Sequence, residues 1–147
     1  MGLFDSLGIS SSGLTAQRLR MDVTAENLAN AQSVGYKRKD VVVREAAGDG
    51  GFGGALRNAM VSSGGATGSP AGAGVEVAQI ATDQSPGRRL YDPGHPDADR
   101  NGYVTMPNIN PVTEMVDLID ASRAYEANVT AMQSAKQMFT KTLDLLR

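Results

Sequence analysis

Residues 110–147 read NPVTEMVDLIDASRAYEANVTAMQSAKQMFTKTLDLLR, and this stretch decides the fold. Asn110 suits a helix cap, and Pro111 suits the first helical position, where its missing N–H costs nothing. Beyond them Met115, Leu118, Tyr125, Val129, Met132, Phe139, Leu143 and Leu146 recur by threes and fours, once Ser122 and Lys136 are admitted as polar interruptions. That is a sustained heptad seam, the pattern that holds one face of a helix against a partner. Charge follows the helix dipole, with Glu114, Asp117 and Asp120 early and Lys136, Lys141 and Arg147 late. At ~1.5 Å per residue, residues 111–146 make a helix of roughly 54 Å.

A helix of that length needs a partner, and the other end of the chain supplies one. Leu7, Leu14, Met21 and Leu28 repeat at seven-residue spacing, thickened by Ala25 and Ala29, while Gln17, Arg18, Arg20, Asp22 and Glu26 face solvent. Ser10, Ser11, Ser12 and Gly13 weaken this helix near its start, since glycine costs about 1 kcal/mol relative to alanine and serine competes for backbone hydrogen bonds. Alone, it should fray. It stops at Asn30–Tyr36, where turn residues precede a basic, β-branched run.

Between the helices, Tyr36–Arg44 reads as a strand, Val75–Ile80 resumes strand-like alternation, Ser85-Pro86-Gly87 is a turn, and Arg88–Asp92 and Tyr103–Met106 are short strands. Residues 48–74 hold ten glycines in 27 positions and read as a flexible loop, with Ala55–Val61 as a short apolar island within it. The expectation is an α+β chain: N-terminal helix 1–31, β-rich insertion 32–109 with the Gly-rich loop at 48–74, and C-terminal helix 110–147.

Composition narrows the function. The chain has 147 residues, net charge -2, no Cys and a single His, so thiol catalysis, disulfides and multi-histidine metal sites are excluded. Without a basic stripe beyond Lys37-Arg38-Lys39, nucleic acid is not an expected partner. Leu, Ile, Val and Phe make up only about a fifth of the residues, so stability is expected from elongated helix packing or from partners. The Met1–Leu7 segment lacks both the basic and the apolar region of a cleavable secretory signal, and no apolar run approaches membrane-spanning length.

Few constellations offer chemistry. Asp97-Ala98-Asp99-Arg100-Asn101-Gly102 matches the first half of a calcium loop, so a calcium-binding module using Asp97, Asp99 and Asn101 is the alternative function. Position twelve is Asn108 where a bidentate Glu belongs, and Pro107 beside it forbids the usual following helix. The preferred reading is a turn capped by Asp side chains, with Gly102 at positive φ. His95 lies between prolines in a connector, Gly50–Gly54 lacks the Lys-Ser/Thr ending of a phosphate loop, and Asn128-Val129-Thr130 falls inside a helix rather than in a glycosylated loop. Met115, Met132 and Met138 read as packing residues. No acid/base pair stands out, which also leaves a cell-wall-cleaving role without residues to carry it, and no enzyme, cofactor or metal is expected.

Two segments go beyond pattern. Thr24-Ala25-Glu26-Asn27-Leu28-Ala29-Asn30 followed by Gly35-Tyr36-Lys37-Arg38 resembles the N-terminal signature of bacterial flagellar rod and hook proteins. The run from Asn110 to Ala131, with Tyr91-Asp92-Pro93 and Pro107-Asn108 before it, resembles the proximal rod member of that family. On the motif the marked residues are Asn27, Asn30, Gly35, Tyr36, Glu114, Arg123, Tyr125, Glu126 and Asn128. One departure is Ser33-Val34-Gly35 where the family usually has Thr-Pro-Gly.

The resemblance implies a structural subunit of a helical drive shaft in the periplasm, exported unfolded by the flagellar type III apparatus without a cleaved signal. It implies terminal helices paired as a coiled coil. Implied partners are other copies, the rod proteins FlgB, FlgF and FlgG, and the adaptor FliE. Both heptad seams would then serve helix packing and subunit contact.

Overall fold

The computed structural model describes residues 3–46 and 74–145. Helix α1 spans Leu3–Ala29, strand β1 Lys39–Glu45, β2 Val75–Thr82, β3 Arg88–Tyr91, β4 Tyr103–Met106, and helix α2 Pro111–Leu145. The class is α+β. Most of the Gly-rich stretch, with its apolar island and Gly50–Gly54, lies outside the described residues, as does Leu146.

The helix ends follow from local chemistry. Asn110 caps α2: its side-chain oxygen accepts from the Val112 amide at 3.0 Å and its carbonyl from the Glu114 amide at 3.1 Å. α1 begins before the seam, at Leu3, and runs through the Ser10–Gly13 stretch. It closes where Asn30 donates its side-chain amide to the Glu26 carbonyl at 2.9 Å. Ser33 donates its hydroxyl to Asn30 Oδ1, and the Tyr36 amide then bonds the Ser33 carbonyl at 3.2 Å across Val34 and Gly35. Gly35 has φ of +78°, the left-handed conformation that glycine adopts without a Cβ penalty. This turn moves the start of β1 from the expected Tyr36 to Lys39, because Tyr36 is still leaving the turn.

The strands form two separate two-stranded ribbons, β1–β2 and β3–β4. In the first, the Asp83 amide bonds the Arg38 carbonyl at one end and the Ala46 amide bonds the Gly74 carbonyl at the other, which makes the pair antiparallel. In the second, Arg88, Arg89, Leu90 and Tyr91 oppose Met106, Thr105, Val104 and Tyr103. Arg89, Tyr91 and Tyr103 share one face, with Tyr91 edge-on to Tyr103 at 5.3 Å and Arg89 stacked over Tyr103 at 4.9 Å. The other face carries Val104, which is buried.

Contacts divide the chain into two compact units. One contains Gln17–Val42 and Val77–Ala124, and its buried apolar side chains are Val23, Val41, Val104 and Ala121. The other contains the described parts of Met1–Ala16, Val43–Glu76 and Tyr125–Arg147, with Ala16 and Ala135 buried. There Asn128 packs beside Gly13, where a Cβ would sit in ordinary contact, 3.4 Å from the Asn128 amide. The Ser12 hydroxyl donates to the Ile9 carbonyl at 2.8 Å and accepts from the Val75 amide at 3.0 Å, tying α1 to the start of β2. Both cores are built mostly from small residues.

Candidate functional site

Among the described residues the most buried polar groups are Asn27 and Glu114, 1% and 2% exposed. Each needs partners to offset its desolvation, and each has them. Asn27, in the last turn of α1, uses both ends of its amide. Its Nδ2 donates to the Lys39 carbonyl at 2.7 Å, and its Oδ1 accepts from the Lys39 amide at 3.0 Å. A side chain thus pairs with the backbone of β1 as a neighbouring strand would. Oδ1 also accepts from the Tyr36 hydroxyl at 3.1 Å, and Nδ2 also donates to Glu114 Oε2 at 3.1 Å.

Glu114 closes the network from the first turn of α2, where the helix dipole favours an acid. Its Oε1 accepts from Arg38 Nε at 2.6 Å. That hydrogen bond is the main reason the Arg38 pKa rises above its ordinary value. The remaining guanidinium nitrogens reach Asp117 at 3.7 Å and Asp40 at 3.9 Å. Around the rim Lys39 pairs with Glu26 and lies 5.6 Å from the Tyr36 ring. Burial, followed by the Glu26 charge, pushes the Tyr36 phenol up. Two residues 87 positions apart, Asn27 and Glu114, therefore lock the end of α1, the turn, β1 and the start of α2 into one constellation.

Beside the latch, α1, β1 and α2 wall a groove of about 460 Å³, lined among others by Gln17, Arg20, Arg38, Asp117 and Asp120. Gln17 Oε1 is the one buried side-chain oxygen or nitrogen among the described residues with no hydrogen-bond partner.

The structure distributes the sequence-selected residues unevenly. Asn27, Tyr36 and Glu114 meet in the latch, while Asn30 and Gly35 shape the turn that delivers Tyr36 to it. Asn128 stands against Gly13, Arg123 and Glu126 are exposed, and Tyr125 is half-buried. Along the seams Leu7, Leu14, Met21 and Leu28 are half-buried, as are Leu118, Val129 and Met132, whereas Met115, Phe139 and Leu143 are exposed. Sequence reading missed Asp117 and Gln17 as partners of this site. The heptad spacing places Gln17 among the solvated residues, and nothing in that spacing signals a buried Oε1.

The calcium-like loop is a turn. Asp99 Oδ1 accepts from the Asn101 amide at 2.8 Å and the Tyr103 amide at 3.0 Å, and Oδ2 meets Arg89 at 3.2 Å. The two backbone amides hold the Asp99 carboxyl below its ordinary pKa. Asp97 lies 3.8 Å from His95, and Gly102 takes φ of +75°. Asp99 therefore spends its oxygens on the loop. Among the described residues no three His, Cys, Asp or Glu side chains group as a metal site.

Comparison with known proteins gives this geometry a context. The family model for flagella basal body rod proteins matches residues 7–37, and that for the C-terminal region of flagellar basal body rod FlgEFG proteins matches residues 100–145. The chain is 44% identical to the flagellar basal-body rod protein FlgC of Bacillus subtilis over 99% of both chains. It is 42% identical to that of Borreliella burgdorferi over 100% of this chain and 99% of the other, and 40% identical to that of Salmonella typhimurium over 99% and 98%. The two matched segments end and begin around the latch: Asn27 and Tyr36 lie in one, Glu114 in the other. The chain belongs to the FlgC family of flagellar basal-body rod proteins, which are structural rod subunits and not enzymes.

Proposed function

We propose that this rod subunit serves in the proximal rod, the periplasmic part of the flagellar drive shaft, joining copies of itself, FlgB, FlgF and FlgG above the adaptor FliE. The full-length likeness to FlgC proteins carries the reading. The chemistry of the chain supports it. Segments 1–31 and 110–147 supply the axial helices and 32–109 the outer insertion. The seams through Leu7, Leu14, Met21, Leu28 and through Leu118, Tyr125, Met132, Phe139 pack as a coiled coil and against neighbouring subunits. Contacts between different faces of successive copies do not close on themselves, so they build a helical tube around an export channel. Torque then passes through many small interfaces, and the latch keeps each subunit from yielding between them.

Export unfolded through the type III apparatus, without a cleaved signal, fits a chain with no Cys and hence no disulfide to undo. No helix of the described residues is long and apolar enough to cross a membrane.

The test is a clean deletion with complementation, followed by electron imaging of basal bodies and a swimming assay. The expected result is membrane rings lacking rods, hooks and filaments, restored by the intact gene. Deletion cells that build complete basal bodies and swim would overturn the reading.

A further inference from the structure

The turn that leads into β4 carries the one Asn-Gly pair of the sequence, Asn101-Gly102. In such a pair the asparagine is chemically labile, because glycine has no Cβ to hinder the approach of its nitrogen to the asparagine Cγ. The reaction is a cyclisation. The Gly102 nitrogen bonds to Asn101 Cγ, the Cγ–Nδ2 bond breaks, and the Gly102 amide proton leaves with Nδ2 as ammonia. Water then adds to either carbonyl of the cyclic imide and opens it, which leaves aspartate or isoaspartate at position 101. Neither step needs an enzyme, a metal or an oxidant.

The structure holds one reactant ready and the other back. Asn101 is exposed, and among the described residues no hydrogen bond engages its carboxamide. The nucleophile is restrained. Gly102 donates its N–H to the Asp99 carbonyl at 2.9 Å, closing a four-residue turn with glycine in the last position at φ of +75°. The residues on either side are pinned to the same aspartate: the Asn101 and Tyr103 amides both donate to Asp99 Oδ1, at 2.8 and 3.0 Å, and the Asp99 amide donates to the Tyr103 carbonyl at 2.9 Å. The Gly102 carbonyl accepts from the Asp92 amide at 2.9 Å. To attack, the Gly102 nitrogen must leave the Asp99 carbonyl and turn with its peptide plane toward Asn101 Cγ. That movement breaks the turn and its bonds together, so it belongs to a local opening and not to the closed loop.

We propose that Asn101 is a deamidation site gated by the fold, with Asp99 as the gate. The closed turn preserves the asparagine, and opening of the loop or unfolding of the chain converts it. Isoaspartate at 101 inserts a methylene into the backbone of the turn, so the bonds from residues 101–103 to Asp99 no longer fit. Each conversion is thus a lasting record of time spent open. The inference rests on this loop alone and stands apart from the rod reading.

The experiment incubates the full purified chain in mildly alkaline buffer, with and without urea, beside Asp99→Ala, Asp99→Asn and Asn101→Gln. Peptide mapping by mass spectrometry and isoaspartyl-methyltransferase labelling follow conversion at position 101, and amide exchange at Gly102 measures how often the turn opens. The parent chain is expected to convert about tenfold more slowly in buffer than in urea. Asp99→Ala, which removes the acceptor of two amides, should bring the rate in buffer to within about threefold of the rate in urea while its helical circular dichroism matches the parent. Asp99→Asn keeps an acceptor oxygen and should stay near the parent, and Asn101→Gln, which would need a larger ring, should not convert. Rates should follow the order of Gly102 exchange. Equal rates in buffer and in urea overturn the proposal, as does an Asp99→Ala chain that keeps Asn101 as long as the parent does.

Discussion

Asn27 owes its position to having a donor and an acceptor on one short, planar side chain. It satisfies both backbone groups of Lys39 and still reaches Tyr36 and Glu114. Glu114 completes it with charge, and the pair it forms with Arg38 is buried on the acid side and partly exposed on the other. Removing the acid should leave Arg38 with only its distant carboxylates. Glu114→Ala is expected to lower stability by about 2–3 kcal/mol, somewhat less than breaking a fully buried pair. Glu114→Gln keeps one acceptor but sets its amide NH2 against a donor, Arg38 Nε or Asn27 Nδ2, so it should lose about 1–3 kcal/mol. Urea unfolding followed by circular dichroism measures both.

A second residue-level expectation concerns acid. Asp83 accepts from the Ser85 hydroxyl and amide and from Asn108, and these bonds lower its pKa from 3.8 to about 2. The folded state thus favours the ionised form. Its stabilising contribution is present above the unfolded value near 3.8 and is lost as pH falls through about 2. Asp83→Asn should flatten the decline of melting temperature between about pH 4 and 2.

At the scale of elements, the turn between α1 and β1 is the most informative. Gly35 sits at positive φ in the third position of a turn closed by the Ser33 carbonyl and the Tyr36 amide. The second position of such turns favours proline, and here it is Val34. Val34→Pro should therefore stabilise by about 0.4–1 kcal/mol through the unfolded chain, whereas Gly35→Ala should destabilise by about 1 kcal/mol or more. Thermal melting of the two variants gives the opposite signs if the turn is as described.

Glycines elsewhere in the chain serve different ends. At Gly13 a Cβ would only touch Asn128 at 3.4 Å, so Gly13→Ala is expected to gain up to about 1 kcal/mol of helix propensity. At Gly87 a Cβ would run into the Met106 carbonyl oxygen, so Gly87→Ala should melt the β3–β4 ribbon first, visible as faster amide exchange at Leu90 and Val104.

For the whole molecule, the small cores leave much of the apolar inventory unused. Val112, Met115, Val116, Ile119, Met138 and Leu143 are all about half exposed or more. Such surface in a polymer-forming family is stabilising only when neighbours cover it. The purified chain at micromolar concentration is accordingly expected to show less helix than its two long elements contain. Its helicity and melting temperature should rise with protein concentration. Fully helical, concentration-independent melting would count against assembly as the source of stability.

How far the sequence reached varies with the kind of interaction. Both helices, the strand β4 to the residue and the Asn110 cap were legible, because caps, periodicity and turn chemistry act over a few residues. The family signatures named Asn27, Tyr36 and Glu114, yet no local rule said that the three touch. Arg38 stood in the same signature without any sign that its partner would be an acid 76 residues away. The seam residues, read as the buried face, share burial with a set that spacing alone did not select: Ala16, Val23, Thr24 and Asn27 on α1, Ala121 and Ala135 on α2.

The sequence by itself therefore determined the elements, their ends to within a few residues, and the family, since each depends on backbone chemistry or on contiguous motifs. Only the tertiary structure decided which polar groups are buried together, which side-chain acceptor is buried without a donor, and which apolar stripe stays exposed. Those depend on distances between side chains far apart in the chain, and desolvation is set by what surrounds a group in space rather than by its neighbours in sequence.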